Sequence, residues 1–206
     1  MSNCRELTDA LVHLAGVHTL DISVCLGIEG STFMHLKGIH TLIAQGCSIL
    51  DESMVHLAGV HTLDISGCER IKGSTFMHLK GIHTLIAQGC RISNESMVHL
   101  AGIHSLDILN TSISDAGLVH LTGVQTLDIS HCANVTGSSF QHLHSLNRLK
   151  ISNSSIAESN LNALNGLSYV NVSSCKLSAS CIASLRRRCG RVIALTDATE
   201  PLVKLP

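Results

Sequence analysis

Residues 12–54 read VHLAGVHTLDISVCLGIEGSTFMHLKGIHTLIAQGCSILDESM, and residues 55–97 repeat them with seven differences in 43 positions. Each 43-residue unit is itself two weaker copies, so the underlying period is 21 or 22 residues. A period this short specifies a solenoid. One copy cannot bury its own apolar face, and stacked neighbours build a continuous core. The 206 residues are therefore expected to form one solenoid over 1–195, with a C-terminal cap at about 178–195 and a loose tail over 196–206.

Alignment on the leucine of each TLDIS-like stretch gives Leu20, Leu42, Leu63, Leu85, Leu106, Leu127, Leu149, Val170 and Ile193. A second apolar position follows two residues later, at Ile22, Ala44, Ile65, Ala87, Ile108, Ile129, Ile151 and Val172. Apolar residues two apart, separated by Thr, Asp, Ser or Asn, describe a short strand with one buried face. Five residues after the anchor stands Cys25, Cys47, Cys68, Cys90, Cys132 or Cys175, with Thr111 and Ser154 in two rungs. A small residue with a weak S–H donor suits the turn that leaves the strand. The second half of each unit reads as a helix. In Ile92–Gly102, Ser93 or Asn94 can cap it, Met97 and Leu100 face inward, and Gly102 stands where a helix ends.

These residues resemble the cysteine-containing leucine-rich repeat, L-x-x-L-x-L-x-x-C-x-x-[IL]-[TS]-[DN]-x-x-[LM]-x-x-L. Val60 to Ile71 matches it, as does Ile103 to Ile113 with Thr111 in the cysteine slot. The resemblance covers residues 4–195 and implies an α/β solenoid of about eight rungs, with a parallel sheet on the concave face and helices on the convex face. It also implies, as one alternative, the substrate-recognition part of an F-box-type ubiquitin ligase, with the F-box absent here.

Composition narrows the function. The 14 Lys and Arg balance 15 Asp and Glu, which argues against nucleic acid or an acidic membrane as partner. No apolar run approaches the length of a membrane span. Nine cysteines without a C-x-x-C pair read as reduced structural thiols, hence a cytoplasmic or nuclear location. Nucleophile elbows, phosphate loops and H-E-x-x-H are missing, so an enzyme is not expected, nor a cofactor or metal. The start of the chain shows no cap over its terminal core. It is therefore read as a fragment edge, as covered by Met1–Leu14, or as a site of self-association.

Outward strand positions form columns, because equivalent residues in a parallel ladder lie about 4.8 Å apart. The first rungs repeat Thr, Asp, Ile and Ser, whereas Asp107, Asp128, His131, Arg148, Lys150 and Tyr169 mark the later ones. We expect a protein partner there, since Tyr and Arg dominate interface energy. Asp128 beside Lys150 reads equally well as a cross-strand ion pair. Histidines form two further columns: His18, His40, His61, His83 and His104 before the strand, and His13, His35, His56, His78, His99, His120 and His142 near the buried helix leucine. The sharper reading is a pH or metal sensor, since full protonation would carry formal charge from −1 to +13. The plainer one is copying along with the repeat, and a column aims its ligands the same way rather than at one metal.

Overall fold

Alternation of buried and open residues forces each TLD- or TLI-like triplet into a strand. The structure, a computed structural model, describes residues 11–195. Cys4, the rest of Met1–Ala10 and the tail from Thr196 lie outside the described residues. The strands are β1 (Thr19–Asp21), β2 (Thr41–Ile43), β3 (Thr62–Asp64), β4 (Thr84–Ile86), β5 (Ser105–Asp107), β6 (Thr126–Asp128), β7 (Arg148–Lys150), β8 (Tyr169–Asn171) and β9 (Arg191–Ile193). They make one parallel nine-stranded sheet in chain order. Leu20, Leu42, Leu63 and their equivalents register with one another down the sheet, as the repeat spacing predicts. At the last rung Val170 registers with Val192, and Ile193 falls beside Asn171 in the outward column. The anchor is therefore Val192, one residue before the expected Ile193, and a one-residue slip exchanges the faces.

The returns between strands differ from the expected helices. Most are 3-10 turns, such as Asp51–Leu57, Phe76–Leu79 and Asn94–Leu100. Among the described residues only α1 (Asp115–Leu118) and α2 (Ala179–Arg188) are α-helical. A rung of 21 or 22 residues leaves few residues for the return. The 3-10 form rises about 2.0 Å per residue against about 1.5 Å for an α-helix, so it spans the same distance with fewer of them. The inward pairs are as expected: Phe33 and Leu36, Met54 and Leu57, Phe76 and Leu79, and Met97 and Leu100 are all buried. The return from β8 to β9 is α2, whose N-cap Ser178 accepts from Cys181 N at 3.2 Å. Arg188 there donates to Leu164 O at 2.7 Å, satisfying a carbonyl of the preceding rung.

Two sets of polar contacts tie rung to rung. Cys68, Cys90, Cys132 and Cys175 each aim the thiol at the carbonyl just after the strand of an earlier rung, at 3.0 to 3.2 Å. Burial pushes the Cys68 thiol up to about 11 and the Cys90 thiol up to about 12. Such thiols stay protonated and act as packing donors, not as nucleophiles or metal ligands. Carboxylates form the second set. Asp51 accepts from Gly73 N at 2.9 Å, and Asp115 accepts from Gly137 N at 3.1 Å and Ser139 N at 3.0 Å.

One turn position is left-handed in each of the first eight rungs. Gly46, Gly67 and Gly89 occupy it with φ between 64° and 69°, then Asn110, His131, Asn153 and Ser174. In the first rung it holds Val24, at φ 62° and 71% exposed. A β-branched side chain is strained there and gains nothing from packing. Val24→Gly should raise stability by about 1 kcal/mol in urea denaturation. An unchanged or lower midpoint would contradict that reading of the turn.

Candidate functional site

The open, concave face of the sheet is built by the first and third residues of each strand. Over β4 to β8 these residues surround a shallow hollow of about 220 Å³. Leu106 and Leu127, both buried, also line it. Five of the six residues expected to contact a partner line it: Asp107, Asp128, Arg148, Lys150 and Tyr169. Thr84, Ile86, Ser105 and Thr126 complete the walls. Their columns were legible in the sequence, yet nothing there singled out these members. His131 does not line the hollow. It is the exposed left-handed turn residue at φ 60°, with its Nε2 3.3 Å from Asn153 Nδ2. Arg191 registers with Tyr169 across the last two strands.

Charge in the hollow is arranged in three steps. Asp128 is 6% exposed and pairs with Lys150 Nζ at 3.1 Å. The hydrogen bond to Asp128 raises the Lys150 ammonium above its usual range, so Lys150 stays charged beside it. Asp107, on the neighbouring strand, accepts from Gln88 Nε2 at 2.8 Å and Leu109 N at 3.1 Å. Burial outweighs those bonds and holds the Asp107 carboxyl above its ordinary value. At the other side the Arg148 guanidinium lies over the Tyr169 ring, 4.7 Å from its centroid. Among the described residues neither Asp107 nor Arg148 forms an ion pair.

Beside the Thr column runs the first histidine column, and its rings stack. The centroids of His18, His40, His61, His83 and His104 follow one another at 4.3 to 4.5 Å, with planes within 15° of parallel. The following threonine hydroxyl meets Nδ1 at 3.1 to 3.3 Å in the first four. His104, followed by Ser105, has its Nδ1 buried without a partner. Burial first, and then the neighbouring rings, lower the His40 and His83 imidazoles below their usual value. Among the described residues no group of three or more His, Cys, Asp or Glu is arranged to hold a metal ion. None of their helices is long and apolar enough to cross a membrane.

This architecture is the leucine-rich-repeat solenoid, and known structures share it. Neither a protein-family model nor a curated protein matches this sequence. Similar structures include internalin C2 from Listeria monocytogenes, with 19% identity and a TM-score of 0.66 over 89% of this chain and 83% of that one. A Listeria monocytogenes internalin F structure has 17% identity and a TM-score of 0.67, covering 93% of this chain and 64% of its own. TLR13, solved in complex with ssRNA13, has 17% identity and a TM-score of 0.65 over 93% of this chain. Toll, solved with Spatzle, has 12% identity and a TM-score of 0.64. This chain spans 24% of that Toll chain and 34% of the TLR13 chain. At these identities the likeness is one of fold.

Proposed function

We propose that this chain is a non-catalytic module that binds a protein partner on its concave face, centred on the hollow over β4 to β8. The observation that carries the reading is the gathering of Asp107, Arg148 and Tyr169 at one depression, with the two charges unpaired. Arg and Tyr are the side chains most often found at interface hot spots, and a depression desolvates them on contact. Toll bound to Spatzle is a related fold engaged with a protein. An RNA ligand like that in the TLR13 complex is the less favoured reading, because Asp21, Asp64 and Asp107 stand at outward strand positions and oppose phosphate. Membership of a ubiquitin ligase, as its substrate-recognition part, is the narrower form of the same reading. Protonated, buried thiols fit a reducing cytosol or nucleus.

The test is capture of partners by the full chain against an Arg148→Ala/Tyr169→Ala variant. Lys150 stays, because removing it would strand the buried Asp128 charge and cost stability for reasons unrelated to binding. Hot-spot losses of this kind weaken binding by about 30-fold or more. A partner retained by the variant would place contact elsewhere, and a ligase adaptor among the captured proteins would favour the narrower form.

A second reading, pH sensing, rests on the stacked imidazoles. His40 and His83 titrate below the unfolded value, so the unfolded chain binds protons first as pH falls. Stability is then complete above about pH 6.5 and declines as pH drops through that value toward the lower folded ones. Melting at pH 7.5 and pH 5.5 should show this loss, and His40→Gln/His83→Gln should shrink it. An equal loss in the variant would remove the stack from the explanation.

A further inference from the structure

We infer that the hollow takes an extended peptide segment carrying one basic residue and, three or four residues away, one acidic residue. The basic residue would sit at Asp107 and the acidic one at Arg148. This rests on the concave-face reading and specifies its partner chemistry.

The argument starts from the order of charges across the sheet. Asp107 on β5 and Arg148 on β7 are unpaired, and the strand between them contributes Asp128, already neutralised by Lys150. A segment crossing the strands therefore meets an anion, a neutral pair and a cation in turn. Placing an opposite charge at each end removes both unpaired groups, while one charge alone satisfies half the site. Burial makes the ionised Asp107 costly, so an incoming cation gains more there than at an open carboxylate. The exposed Arg148 guanidinium lies over the Tyr169 ring, 4.7 Å from its centroid, and a guanidinium matches a planar carboxylate in a two-pronged hydrogen bond.

Spacing sets the separation. Asp107 and Arg148 are two strands apart, about 10 Å, and offset by about 7 Å along them, so about 12 Å in all. An extended chain advances about 3.3 Å per residue, which corresponds to three or four residues. The intervening residues cross β6 at Thr126 and Leu127, so small or aliphatic side chains fit. A carboxylate is favoured over a phosphoryl group. A doubly charged group would bring surplus negative charge toward Asp128 and Asp107, with Arg148 alone to balance it.

Binding of fluorescent decapeptides to the full chain tests this. Each peptide carries one Lys and one Glu, two to seven residues apart, in a Gly/Ser/Val background. Peptides with separations of three or four should bind at least tenfold more tightly than those separated by seven, or than Lys/Lys and Glu/Glu versions. In Arg148→Glu the preference should invert, so that the Lys/Lys peptide binds best. Equal binding of all arrangements, no binding of any, failure of the swap, or a tenfold preference for phosphoserine in place of Glu would each overturn the inference. The two proposals fail separately. Partner capture lost in Arg148→Ala/Tyr169→Ala, with peptides indifferent to charge order, sinks only this one. Capture that survives the double variant sinks the concave-face reading.

Discussion

Phe76→Ala should destabilise the fold by about 4 kcal/mol in urea denaturation. Phe76 is fully buried at the start of its 3-10 turn, between rungs that place Met54 and Met97 at the equivalent position. Both methionines are fully buried too, so the ring has neighbours above and below. In a solenoid each rung contacts only its neighbours, and a void in one rung weakens both adjacent interfaces. The rigid ladder of backbone hydrogen bonds on the sheet side, such as Ala87 N to Asp107 O at 2.8 Å, resists collapse around the gap. Phe76→Met, by contrast, nearly conserves volume and should cost no more than about 1 kcal/mol. A loss below about 1 kcal/mol for the alanine variant would mean that the turns of neighbouring rungs do not press on one another as described.

Gly73→Ala should cost about 3 kcal/mol, although it adds a single methyl group. Gly73 has φ +84°, and a Cβ there would stand 2.7 Å from both Cβ and Oγ of Ser96 and 3.2 Å from the Phe76 ring. Ser96 cannot move freely, because its hydroxyl donates to Ser93 O at 2.6 Å. The Gly73 N–H is also held by Asp51, so the backbone is fixed from the other side. Gly102→Ala separates the two causes. Gly102 has nearly the same φ, +83°, but open space beyond it, so only the left-handed penalty of about 1–2 kcal/mol applies. Gly73→Ala/Ser96→Gly should recover part of the loss, with a coupling of about 1 kcal/mol between the sites. Equal costs for the two single glycine variants would remove the clash from the account.

The same distinction, between what spacing implies and what side chains decide, runs through the candidate site. Asp128, Arg148, Lys150 and Tyr169 were legible because they depart from a repeated background, and a departure from copying needs no coordinates to be seen; Asp107 continues the repeated Asp column. His131 departs as well, yet it serves the left-handed turn that Gly46, Gly67 and Gly89 serve elsewhere. Its signal was the alignment with those glycines and with Asn110, a turn signal rather than a binding one. Asp128 and Lys150 were read as a possible pair, and they are one. That this pairing leaves Arg148 and Asp107 as the open charges was invisible, because it depends on which way each side chain leans.

Repeat spacing alone decided the solenoid, the parallel register and the columns. A 21- or 22-residue period brings each residue back to the same place one strand further on, whatever the side chain does. It also decided that Cys25, Cys47, Cys68, Cys90, Cys132 and Cys175 line one inner turn, since their positions repeat with the strands. The tertiary structure decided the rest. It made the returns 3-10 rather than α, because a short rung must reach its next strand with the residues it has. It stacked the five imidazoles face to face, because strand spacing matches the thickness of a ring. And it opened the hollow, because depth on a sheet depends on how Arg148 lies on Tyr169 and Lys150 on Asp128, which are contacts between rungs that no single repeat contains.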